Sequence, residues 1–126
     1  ILLKMIGENL NYQDRIIVTS FFHKILIPFR KNFEKIHTAA LIMGFPADPV
    51  HLARSCFADS VAFYYHGMER SYVEECHRGG IRVSVWNPVE YGDIKDLVQA
   101  GVDLIATDRP DMAFNVINEM KSMEKG

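Results

Sequence analysis

No apolar run in these 126 residues approaches the ~18 needed to cross a bilayer, so no membrane span is present. No signal peptide is visible, yet the chain opens at Ile1 in apolar residues without a helix cap. We therefore expect a segment upstream, where any targeting signal would lie. An excess of one charge is also absent. The formal net charge is -2, and basic residues are scattered apart from Arg30, Lys31 and Lys35 on one helical stretch. That stretch reads as a solvated face and gives no reason to expect nucleic acid as a partner. Cysteine is scarce. Cys56 and Cys76 sit on helical patterns without metal spacing, which fits buried free thiols in a reducing, cytoplasmic compartment. No linker or low-complexity stretch divides the chain, so residues 1–126 are expected to form one domain with a real core. No His/Asp/Glu cluster has metal-ligand spacing.

What the chain does have is a regular alternation of strand and helix. Ile1 to Leu10 carries Leu2, Leu3, Ile6 and Leu10 at helical spacing, and Asn11 to Asp14 is a polar turn. Ile16 to Phe22 is an unbroken β-branched and aromatic run, as in a strand buried on both faces. Lys24 to Lys35 is helical, with Pro28 starting or kinking it. Thr38 to Met43 is a second continuous apolar run. Asp48 followed by Pro49 then makes a helix start, a side-chain acceptor before a residue that lacks an N–H.

Ser60 to Tyr65 is strand-like, Glu69 to Arg78 helical, and Gly79-Gly80 closes that helix. Arg82 to Trp86 is a strand, Asp93 to Ala100 a helix closed by Gly101, and Val102 to Thr107 a buried strand. A last helix runs from Pro110 to Met123. Strands separated by helices pair in parallel, because a parallel connection needs a crossover. Four principal strands are expected, at 16–22, 38–43, 82–86 and 102–107, with 60–65 a fifth that is short or peripheral. The fold class is α/β.

In a parallel barrel the loops after the strands form the active-site face, so residues at strand C-termini are the ones to examine. They are Thr19, Ser20 and Phe21, then Trp86 and Asn87, then Thr107 and Asp108. Three motifs stand there in order: I-I-V-T-S-F at 16–21, V-S-V-W-N-P-V at 83–89 and G-V-D-L-I-A-T-D-R-P at 101–110. In order and spacing they resemble the glycerophosphodiester phosphodiesterase family, over nearly the whole chain. That family has a strand ending in S-F, then V-x-x-W-T-V-N, then G-V-D-G-I-I-T-D-x-P. The last motif is the specific one. The middle motif departs, with Asn87 and Pro88 in place of Thr and Val.

The resemblance implies the C-terminal half of a TIM-type (βα)8 barrel, strands five to eight with their helices. It implies a parent enzyme that hydrolyses glycerophosphodiesters to glycerol 3-phosphate and an alcohol. Such an enzyme uses two histidines and a divalent metal, Mg²⁺ or Ca²⁺, on Glu and Asp ligands from early strands. Those early-strand motifs have no counterpart in context here. His77-Arg78-Gly79 matches the family's H-R-G in letters, but it follows a helical pattern and precedes a strand, so it reads as a helix end.

This chain is therefore expected to contribute substrate-binding wall, chiefly Ser20, Phe21 and Trp86, with no catalytic group and no metal held by it alone. Plainer alternatives stand beside these: Trp86 as a core residue, Ser20 as a local cap, and Phe21 and Phe22 split between core and mouth; Asp108 reads as the cap of the last helix. His23 and His66 stand near the mouth and read as surface or helix-starting residues. A half barrel leaves its two edge strands unpaired. A missing N-terminal half or a second copy of the chain is the expected partner. A non-catalytic half-barrel that self-assembles as a homodimer is the alternative, and a different phosphate-binding barrel enzyme is a third reading.

Overall fold

The computed structural model describes residues 15–124. The helix expected at 1–10 and the turn at 11–14 lie outside them. The described chain alternates β1 (Ile17–Ser20), α1 (Leu26–Asn32), β2 (His37–Ile42), α2 (Pro49–Ser55), β3 (Ser60–Tyr64), α3 (Arg70–Arg78), β4 (Arg82–Trp86), α4 (Tyr91–Ala100), β5 (Leu104–Ala106) and α5 (Pro110–Glu124). A 3₁₀ turn, His23–Ile25, leads into α1. Pro28 lies in the first turn of α1, where a missing N–H leaves no intrahelical bond unmade, so it starts this helix rather than kinking it. All strand pairs are parallel, in the order β1-β2-β3-β4-β5. Sequential parallel strands with a helix at each crossover form a curled half of a (βα) barrel.

The strand at 60–65 is the correction to the expected count. It is neither short nor peripheral: β3 is the middle strand of five, and Ser60, Val61, Ala62 and Phe63 are all buried. Two of those residues are small, so the segment carries a weak apolar signal. Its position was decided by the strands that pair with it on both sides. The two expected edge strands are shorter than their apolar runs. β1 stops at Ser20 because the Ser20 hydroxyl accepts the Phe22 N–H at 3.0 Å and turns the chain. β5 holds only Leu104, Ile105 and Ala106, and it alternates exposed and half-buried residues instead of being buried throughout.

Side chains of alternate parity split between two environments. Val61, Phe63, Val83 and Val85 join Leu26, Ala53, Cys56, Val73, Cys76 and Leu97 in the main core between sheet and helices. A satellite cluster of Ile94, Ala113 and Val116 fixes α4 against α5. Residues of the other parity face the inside of the curl. Ile17, His37, Ser60, Arg82, Ser84 and Leu104 line a 180 Å³ cavity there with Asp59 and Asp103.

The foot of the sheet is locked twice by the same device. Asp59, just before β3, accepts the N–H of Thr38 in β2 and a bidentate bond from Arg30 of α1, at 2.9, 2.8 and 3.0 Å. Asp103, just before β5, accepts the N–H of Val83 in β4 and bonds His77 of α3, both at 2.7 Å. Each carboxylate thus ties one strand to its neighbour and to the helix that precedes the pair.

The helix ends follow local chemistry. Asp48 caps α2 by accepting the His51 N–H at 2.9 Å. After α3 the Ile81 N–H reaches the Cys76 carbonyl and the Gly80 N–H the His77 carbonyl, with Gly80 at φ +76°. That is a Schellman closure, and it confirms His77-Arg78-Gly79 as a helix end. Gly79 has ordinary φ and is needed for space: a Cβ there would stand 2.4 Å from Val50 Cγ2 of α2.

Candidate active-site mouth

The C-terminal ends of β1, β3 and β4 bring three aromatic rings together. The Trp86 ring meets Phe21 edge-on at 6.1 Å between centroids and Tyr64 at 5.2 Å. Tyr64 and Trp86 are register partners across the β3–β4 pair, which places both rings on the same side of the sheet. Tyr64 continues the wall to Tyr65 at 5.0 Å and to His66 at 6.5 Å. Offset and edge-on pairs of this kind stabilise each other through ring quadrupoles and present a broad apolar surface. The indole Nε1–H of Trp86 is buried without an acceptor among the described residues.

Phe21 and Trp86 are therefore brought together, as the sequence suggests. Tyr64 was missed, although its place as the last residue of a strand was a usable signal. Ser20 also stands at the mouth, but its hydroxyl is engaged locally, accepting the Phe22 N–H and contacting the Phe22 carbonyl at 3.3 Å. The two phenylalanines divide: Phe21 turns to Trp86, whereas Phe22 is 66% exposed.

The loops after β4 and β5 are clasped. The Asn87 amide donates to the Asp108 carboxylate at 2.8 Å, and the Asn87 carbonyl oxygen accepts the Asp108 N–H at 2.9 Å. Thr107 donates its hydroxyl to the Pro88 carbonyl and accepts the Arg109 N–H at 2.9 Å. The Trp86–Asn87 peptide is cis. The expected role of Asp108 as a helix cap is thus replaced by a loop-to-loop bond. Asn87, which departs from the family's Thr, supplies the other half of it. The short side chains of Asn87 and Asp108 meet because β4 and β5 are hydrogen-bonded neighbours.

The histidines near the mouth are occupied or peripheral to the wall. His23 Nε2 contacts the Leu41 carbonyl oxygen at 2.8 Å and holds the 3₁₀ turn to the end of β2. His66 is exposed beside Tyr64 and Tyr65. The phenol of Tyr65 is pushed up from its ordinary value, first by burial and then by the Asp93 charge. Among the described residues, no three His, Cys, Asp or Glu side chains gather to hold a metal ion, and no helix is long and apolar enough to cross a membrane. A groove of 650 Å³ between Arg30, Lys31, Arg54 and Phe57 involves no strand-end residue.

Fold and mouth together define a class: a parallel (βα) half-barrel whose strand ends carry an aromatic wall and a clasped pair of final loops. The model of the glycerophosphoryl diester phosphodiesterase family matches residues 3–112, and the chain belongs to that family. It is 29% identical over 118 residues to the glycerophosphodiester phosphodiesterase of Caldanaerobacter subterraneus subsp. tengcongensis, covering 94% of this chain and 48% of that protein. The chain spans about half the length of the curated relatives it matches. Its fold is similar to that of a Silicibacter pomeroyi structure assigned to the same activity, with TM-score 0.83 and 22% identity over 94% of this chain and 42% of the other. It is similar also to an Oleispira antarctica phosphodiesterase solved with the product sn-glycerol-3-phosphate, with TM-score 0.74 and 14% identity over 81% of this chain and 41% of that one.

Proposed function

We propose that this chain is half of a metal-dependent phosphodiesterase that hydrolyses glycerophosphodiesters to glycerol 3-phosphate and an alcohol. In this reading residues 1–126 form one domain that supplies the substrate wall of the barrel, and the acid–base histidines come from the other half. The observation that carries it is the Phe21–Trp86–Tyr64 wall at the strand C-termini, in a chain whose family match spans half of its relatives. Phe21 and Trp86 would flank the glycerol or alcohol part of the substrate, and the strand end at Ser20 would lie beside its phosphate. An indole N–H with no partner among the described residues suits a pocket completed by another segment or by an oxygen-rich ligand.

The divalent cation implied by the family does not fit the described residues. Asp108, at the end of the last strand, is bonded to Asn87, and no ligand cluster accompanies it among the described residues. No step on this chain is routed through a metal; an Mg²⁺ or Ca²⁺ ion would be held by the completing half. Two buried free thiols fit a reducing, cytoplasmic setting.

The test is release of glycerol 3-phosphate from glycerophosphocholine by the chain alone and by the chain co-expressed with the N-terminal half of the Caldanaerobacter relative. We expect no activity alone and activity in the pair, with Trp86→Ala raising KM. Turnover by the chain alone would overturn the division of labour. A second reading, a non-catalytic homodimer, draws on the edges β1 and β5, which have no outer partner strand among the described residues, and on Ile17 and Leu104 exposed inside the curl. A monomer in sedimentation at all concentrations would sink it.

A further inference from the structure

We propose that the foot of the inner sheet face is the recognition surface for the completing half of the barrel, and that this half brings a carboxylate to Arg82. Strand register places Ile17, His37, Ser60, Arg82, Ser84 and Leu104 on one face, and all six line the 180 Å³ cavity inside the curl. Arg82 is exposed, and among the described residues its guanidinium has no hydrogen-bond or ion-pair partner. The two acids that share the cavity are committed elsewhere. Asp59 is taken by Arg30 and the Thr38 N–H, and Asp103 by His77 and the Val83 N–H. Closing the barrel buries this face. A guanidinium stays charged at any pH at which the protein folds, and one buried without an acceptor opposes closure. The cavity therefore selects a partner with an acidic side chain at the matching height, where the planar fork of an arginine meets a carboxylate well.

Size narrows the partner further. Around Arg82 the same face carries Ala39, Ser60, Ala62 and Ser84, all small. A barrel interior is packed as densely as a crystal, so bulky side chains have to come from opposite. A second copy of this chain brings the same small residues and the same arginine, and its two foot carboxylates are already bound. It fits poorly for both reasons. The inference rests on the phosphodiesterase reading for the identity of the partner. The chain spans about half the length of its curated relatives, and the other half of such a protein is the segment that would close the curl.

The experiment is co-expression of the tagged full chain with the N-terminal half of the Caldanaerobacter relative, followed by capture and by sedimentation of the purified pair. We expect a stable complex of the two. Arg82→Glu should weaken it about a hundredfold or more, the effect of breaking a buried charge pair. Ser84→Leu, which fills the cavity, should weaken it about tenfold. Arg82→Lys, which keeps the charge, should bind more tightly than Arg82→Met. Glu74→Lys reverses a charge on the exposed face of α3 and should change nothing. Circular dichroism of each variant alone verifies its fold. The proposal is overturned if the wild-type chain captures nothing, or if Arg82→Glu and Arg82→Met bind as the wild type does. It is also overturned if the chain sediments as a homodimer that Arg82→Glu dissolves. Capture involves no turnover. A stable pair that releases no glycerol 3-phosphate refutes the enzyme reading alone, and an active pair indifferent to Arg82→Glu refutes only the charge match.

Discussion

Removing the Asp59 carboxylate should be among the most damaging single changes at the foot of this fold. Asp59→Ala deletes the acceptor of the Thr38 N–H and of both Arg30 guanidinium bonds, and so unties β2, β3 and α1 together. A hydrogen bond to a charged group contributes ~1.5–3 kcal/mol, and stranding a buried partner costs more. Two features reduce the sum. The pair is 29% and 23% exposed, so water screens it, and Arg30 keeps its bond to the Ile36 carbonyl at 2.8 Å. We expect a loss of about 2–4 kcal/mol. Asp103→Ala removes the parallel lock, but its partner His77 is charged only when protonated and the pair is 39% and 33% exposed. We expect about 1–2 kcal/mol there. Urea unfolding followed by fluorescence of Trp86, the only tryptophan, measures both. A loss at Asp59 below that at Asp103 would refute the reasoning, because it would mean that the guanidinium clasp adds nothing to the shared backbone bond.

Three further outcomes follow from the packing, the loop clasp and the buried thiol. Gly79→Ala forces a Cβ to 2.4 Å from Val50 Cγ2 and should lower stability by about 1–3 kcal/mol, with Val50→Ala restoring most of it in a thermal-melt double-mutant cycle. Asn87→Ala unhooks the β4–α4 loop from Asp108; Trp86 emission should shift to the red, and in a completed barrel KM should rise more than kcat falls, whereas an unmoved spectrum would count against the clasp as a positioning device. The Cys76 thiol is pushed up from 9.0 to about 11, by burial first and then by Glu75 and Asp103, and burial likewise raises the Tyr72 phenol. Both groups are neutral in the fold and ionise more readily once it opens. Stability is therefore fully present below pH 9 and falls as pH rises toward 11. Denaturant midpoints across that range check the direction, and iodoacetamide at neutral pH should label Cys76 only in unfolded chains.

Much of this molecule is legible from local pattern. The Asp48-Pro49 start, the Gly79-Gly80 and Gly101 stops and the reading of His77-Arg78-Gly79 as a helix end all depend on backbone chemistry within a few residues. The structure realises each of them in place. The strand ends that carry Phe21 and Trp86 were legible too, because a parallel sheet exposes its C-terminal loops whatever the detailed register.

What the sequence could not settle were relations between segments far apart in the chain. The small residues of β3 hid the centre of the sheet, because burial there comes from β2 and β4 pairing on either side. Tyr64 joined the wall only when register set it beside Trp86. Asp108 read as a cap until Asn87, twenty-one residues away, came within hydrogen-bond reach. Asp59 carries no signal of its own, and Asp103, although part of the G-V-D motif, gives no sign of its partners, since a carboxylate before a strand resembles any surface acid until a helix cation is folded against it. The sequence by itself determined the alternation of elements, the start at Asp48-Pro49, the glycine stops and the family; the tertiary structure decided which strand lies in the centre and which side chains meet. The physical reason is range: propensity and capping act over a turn of chain, whereas register and packing need the whole sheet assembled.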